Sequence, residues 1–109
     1  MPTVNIFSKH NAIDKLSLLI PELKIFLAKK LTCGDIKLSP KEISIRLINS
    51  EANGMIGDIE IEIKAHAFAE RVKKQDDICN EVRKYLMKKK PSLGDIRVWL
   101  VLSELGHSW

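Results

Sequence analysis

The sequence predicts an α+β fold: a tandem β-α-β repeat whose four strands form one mixed sheet with two helices on one face. Three observations carry this. Four short stretches alternate apolar and polar residues or run almost wholly apolar, as strands do. Two longer stretches carry apolar residues at three- and four-residue spacing, as amphipathic helices do. The order strand–helix–strand occurs twice: Ile43–Ile48 corresponds to Ile96–Val101, 53 positions later, and Val4 and Ile6 correspond to Ile59 and Ile61 at an offset of 55. Two right-handed β-α-β units side by side give such a sheet.

The first strand starts almost at once. Val4 and Ile6 share one face, Asn5 takes the other, and Pro2 suits a strand head because it has no N–H to give to the ladder. After the polar break Ser8–Asn11, with Asn11 the expected helix N-cap, Ile13, Leu16, Leu19/Ile20, Leu23, Leu27 and Leu31 form one stripe of a helix over 12–31. Pro21 is expected to kink it, and Gly34 to mark its stop.

Ser39-Pro40 signals a turn before a strand at 43–48, where Ile43, Ile45 and Leu47 face one way and Ser44, Arg46 and Ile48 the other. Asn53-Gly54 and Gly57 punctuate a loop over 49–57. In 58–66, Ile59, Ile61, Ile63 and Ala65 alternate with Glu60, Glu62, Lys64 and His66. A second helix over about 70–89 carries Val72, Ile78, Val82, Tyr85 and Leu86, with Asp76-Asp77 and Lys88–Lys90 placed to suit its dipole. Pro91 stops it, and the last strand spans 96–102. The chain reads as a single domain over 1–109: β-α-β units at 2–50 and 57–103, then a tail at 104–109.

Composition narrows the function. With 45% apolar and 29% charged residues, the 109-residue chain is of ordinary globular type. No apolar run nears the roughly 18 residues of a membrane helix. The N-terminus is not a basic-then-apolar export signal, so a cytoplasmic protein without a membrane partner is expected. Cys33 and Cys79 make no disulfide framework and read as core thiols. His10 and His107 have no cysteine at metal spacing, so neither metal nor cofactor is expected. A net charge of +4 suits anionic partners and is too small to imply nucleic acid. Lys73-Lys74 and Lys88–Lys90 read as solvated helix ends.

Pro2 is the first candidate for chemistry. Once Met1 is removed, Pro2 is a secondary amine at the head of an ordered strand, and nearby cations or burial lower the pKa of such an amine toward neutrality. With Met1 retained, the nitrogen is an amide and Pro2 is only a strand cap. Arg46 offers a planar fork for a carboxylate, set against an ion pair with Glu60 or Glu62. His66, ending the third strand, is a candidate acid–base group, set against a satisfied structural histidine. Trp99 and Trp109 read as packing residues.

Met1-Pro2 opening into a strand, the doubled β-α-β, the Gly-containing loop between the halves and the tail Leu105–Trp109 together resemble the tautomerase superfamily. That superfamily includes 4-oxalocrotonate tautomerase and macrophage migration inhibitory factor. The likeness spans the chain and is nearest to small bacterial members of no assigned activity, which share the helix proline and an Ile-Asn before the loop. It implies a homotrimer with active sites at subunit boundaries and Pro2 as the base moving a proton between enol and keto forms of a small carboxylate substrate. The family's second-strand arginine aligns near Ser44, with Arg46 two residues on and on the same face. Lys37 and Lys41 correspond loosely to a lysine before that strand in the migration-factor branch, and Trp109 would close a neighbour's pocket. An inactive trimeric binding or scaffold protein of the same fold is the alternative. A ferredoxin-like RNA-binding sheet ranks last, because Glu60 and Glu62 stand where stacking aromatics are needed.

Overall fold

A computed structural model describes residues 2–32, 37–50 and 57–104. Four strands, β1 (Thr3–Ser8), β2 (Ser44–Asn49), β3 (Ile59–His66) and β4 (Ile96–Ser103), form one sheet in the order β2-β1-β3-β4. β1 runs parallel to β2 and β3 parallel to β4, while the central pair β1–β3 is antiparallel. This is the expected mixed sheet. Ile6 pairs with Ile61, its own counterpart in the repeat, so the two halves meet about a pseudo-two-fold axis through the middle of the sheet.

Helix α1 (His10–Leu31) follows β1, and a short helix α2 (Ala69–Lys73) and a longer one, α3 (Gln75–Lys89), follow β3. α1 and α3 bury their stripes against one sheet face. Leu16, Leu23, Leu27 and Leu31 from α1 and Ile78, Val82 and Leu86 from α3 join Val4, Ile6, Ile59, Ile61, Ile63 and Ile96 in one core cluster. At about 25 cal/mol per Å² of apolar surface buried, this continuous cluster is the main stabilising term of the fold.

Several local expectations are corrected. α1 opens at His10 with Lys9 in the cap position and no side-chain cap, so Asn11 lies inside the helix. As expected, the helix continues through Pro21, which sits on its exposed side, where water can replace the hydrogen bond that proline cannot give. Thr32 closes the helix: its Oγ donates to the carbonyl of Ala28 at 2.7 Å and accepts from the N–H of Leu38 at 3.1 Å. Gly34 and Asn53-Gly54 lie outside the described residues.

The second helix is not continuous. It breaks at Lys74 (φ −102°, ψ 10°), where the N–H bonds back to Arg71 and Val72 while the carbonyl starts the next helix by accepting from Ile78. The break turns the first segment about the core. Val72, expected in the apolar stripe, is 51% exposed, and Arg71 is buried at 3%.

Among the described residues, one glycine is required by its backbone. Gly94, between the 3-10 turn Pro91–Leu93 and β4, has φ 89°, and a Cβ there would run into the carboxylate of Asp58. That carboxylate accepts from the N–H of Asp95 at 2.8 Å, tying the entrance of β3 to that of β4. Gly94→Ala is therefore expected to cost about 1–3 kcal/mol, read as a lower urea midpoint at unchanged m-value.

Candidate active site

The register fixes the surroundings of Pro2. Thr3 pairs with Ser44 and with Lys64, so one step further Pro2 is level with Ile43 before β2 and with Ala65 near the end of β3. The carbonyl of Pro2 accepts from the N–H of Ser44 at 3.1 Å, and the residue is buried. The head of the central strand is thus held from both sides. The same end of the sheet carries His66, the 3-10 turn Pro40–Glu42 and the C-terminus of α1.

Sequence reasoning missed Arg71, which ties this end together. Its Nε donates to the carbonyl of Leu31 at 2.8 Å and its Nη1 to the carbonyl of His66 at 2.9 Å. The guanidinium also lies 5.0 Å from the ring centroid of Phe68, which in turn meets the His66 ring edge-on at 4.5 Å. A cation at the C-terminus of a 22-residue helix sits at the negative end of its dipole. The sequence signal was faint, since Arg71 stands in a polar helical segment beside an apolar Val72.

The other candidates are dispersed. Lys41 is exposed in the turn leading into Ile43, close in the chain to the residues level with Pro2. Lys37 is exposed and lines a groove with Ile25, Ala28, Lys29, Thr32, Leu38 and Pro40, along the flank of α1. His66 ends β3 one residue beyond Ala65. Arg46 is exposed on the sheet face away from the helices, whereas Pro2 shares the alternation of Val4 and Ile6 on the helix side. Within one chain, Pro2 and Arg46 therefore point to opposite faces. Trp109, Cys33 and His107 lie outside the described residues.

The open face is an ordered polar sheet surface. Arg46, Asn5, Glu62 and Trp99 form one row across all four strands, and Ser44, Thr3, Lys64 and Val101 form the next. Asn5 donates to Glu62 at 3.1 Å, and Lys64 pairs with the same carboxylate at 3.7 Å. Asn5 stands between Arg46 and Glu62, so the ion pair considered for Arg46 is not formed with Glu62. No ion pair of Arg46 occurs among the described residues. Trp99 is 45% and Val101 44% exposed on this face.

Cys79 is a half-buried free thiol on α3. Burial and the neighbouring charge of Asp76 push it above the usual thiol range, with a hydrogen bond involving the Leu100 backbone partly opposing, so it is not an activated nucleophile. Among the described residues no group of three or more His, Cys, Asp or Glu could hold a metal ion, and no helix is long and apolar enough to cross a membrane.

No protein-family model matches the sequence, and no curated protein matches it. Solved structures do match the fold. A protein of unknown function from Vibrio cholerae superposes with TM-score 0.69 at 15% identity, over 99% of this chain and 82% of that one. A macrophage migration inhibitory factor-like protein from Entamoeba histolytica superposes with TM-score 0.63 at 18% identity, over 98% of this chain and 95% of its own. A fused 4-OT wild-type asymmetric trimer does so with TM-score 0.68 at 13% identity, over 97% and 92%. Topology, register and these superpositions agree: the chain has the tautomerase and macrophage migration inhibitory factor fold.

Proposed function

We propose that this chain is a tautomerase-like enzyme that moves a proton between the keto and enol forms of a small 2-oxo or enol acid, with Pro2 as its base. The observation that carries this reading is the position of Pro2, buried at the head of the central strand and level with the start of β2 and the end of β3. After loss of Met1, the neutral secondary amine takes a proton from the substrate's enol hydroxyl. The electron pair moves through the conjugated system, and the ammonium returns the proton to carbon, leaving a ketone and the amine unchanged. Arg71, buried at the same end of the sheet, holds the end of α1 to the end of β3 around this strand head.

The substrate carboxylate needs a cation that the Pro2 end of one chain does not supply through Arg46. Because Pro2 and Arg46 point to opposite faces, the reading requires a homotrimer in which the open face of one chain brings its Arg46 to the Pro2 end of another. That face suits such a partner: it carries charges of both signs with exposed Trp99 and Val101. Lys41 and Lys37 serve as auxiliary cations, His66 as an acid–base group at the same end of the sheet, and Trp109 as a cover from a neighbour. The free thiol of Cys79 suits a reducing compartment, and the cytoplasm is the proposed location.

The test begins with the intact mass of untagged protein expressed from its own start codon. Loss of methionine followed by measurable tautomerisation of phenylpyruvate or 2-hydroxymuconate is the expected result. A mass that retains Met1 removes the base and ends the enzymatic reading.

A further inference from the structure

The outer surface of α1 carries a feature of which the proposed chemistry uses only Lys37. Leu18 and Ile25 are the two most exposed large hydrophobics among the described residues, at 77% and 60%. Seven residues apart, they lie on one side of the helix, with exposed Pro21 between them. Ile25 is also the ridge between two grooves. One, of about 370 Å³, runs between α1 and the segment holding Leu38 and Pro40. The other, of about 320 Å³, runs toward α3 and is walled by Phe26 and Tyr85, whose rings stack at 4.1 Å with an interplanar angle of 9°.

Among the described residues, the charge lining these grooves is net positive. Lys29 lines both, Lys37 lines the first and Lys89 the second. The one carboxylate among the described lining residues, Glu22, is held by Lys89 at 3.5 Å. Three lysines thus face one neutralised glutamate around an apolar ridge.

We propose that this face binds an acidic amphipathic peptide segment of another protein. Its apolar side chains would enter the two grooves astride Ile25, and its carboxylates would meet Lys29 and Lys37. Charge complementarity names the partner's sign, and the divided relief names its class. Two recesses separated by a ridge take individual side chains, as in helix-in-groove recognition, whereas an anionic bilayer presents no side chains to fill them. The face belongs to the helix layer, opposite the sheet face proposed for subunit contact, so it would remain open in the proposed trimer.

The test uses the full-length protein and two fluorescein-labelled helical peptides with leucines at i, i+3, i+4 and i+7. One carries glutamates elsewhere and the other carries lysines. In anisotropy titrations the acidic peptide is expected to bind at least ~10-fold more tightly than the basic one. Ile25→Asp and Lys29→Glu, both at exposed positions, should each weaken that binding by ~10-fold or more. Circular dichroism and the tautomerase assay verify that fold and catalysis are unchanged. Absence of binding, equal binding of the two peptides, or insensitivity to Ile25→Asp overturns the proposal. Binding to phosphatidylglycerol vesicles without binding to the acidic peptide overturns it in favour of a membrane contact.

Discussion

Replacing Arg71 by methionine is expected to destabilise the protein by about 2–4 kcal/mol. Methionine retains much of the buried stem but donates no hydrogen bond, so the carbonyls of Leu31 and His66 lose the donors now at 2.8 and 2.9 Å. The loss also frees α2 from the end of α1, because that one side chain bridges three elements. Urea unfolding followed by circular dichroism gives the value. Arg71→Lys should recover only part of it, since an ammonium is a point donor and cannot reproduce a planar fork reaching two carbonyls. A loss below about 1 kcal/mol for the methionine variant would mean that the two carbonyls find other donors and that Arg71 is not the tie.

The second large effect concerns rate. On the proposed reading, Pro2→Ala is expected to lower kcat for tautomerisation by about 10²–10⁴-fold. The carbonyl that accepts from Ser44 is kept in the variant, and alanine adopts extended backbone freely, so folding should be little affected. The primary amine of the variant lacks the ring that fixes the nitrogen in position, and positioning is where much of the rate resides. A kcat within about threefold of the parent would remove Pro2 as the base, because a positioned proton acceptor is worth far more than that. Arg46→Ala should act differently, raising KM more than it lowers kcat if its role is to hold the carboxylate.

Much of the fold was legible because its strongest signal is alternation. Ile59, Ile61, Ile63 and Ala65 alternate without interruption, and all four are at most 1% exposed. The α1 stripe was equally plain, and Leu16, Leu23, Leu27 and Leu31 are all buried as its spacing requires. What failed was local and had a physical cause. The break at Lys74 leaves no proline or glycine to mark it, so the second helix read as continuous and Val72 was placed in its stripe. A buried arginine satisfied by carbonyls looks, in sequence, like any surface cation. The place of Pro2 in the fold was legible through the strand it precedes, but its surroundings were not. Neither the opposite orientation of Arg46 nor the flanking position of Lys37 can be known before register and turns are fixed.

β1 is one of the two central strands, yet it precedes both of the strands that flank it. A ribosome releases it long before its neighbours. At about 5–20 residues per second, the roughly 60 residues to the end of β3 take about 3–12 s to appear. Until β3 is made, the edge of β1 that pairs with it has no partner strand. On the proposed reading, removal of Met1 before β3 pairs with β1 leaves the Pro2 amine to be enclosed afterwards, whereas removal after pairing would have to act at a buried strand head.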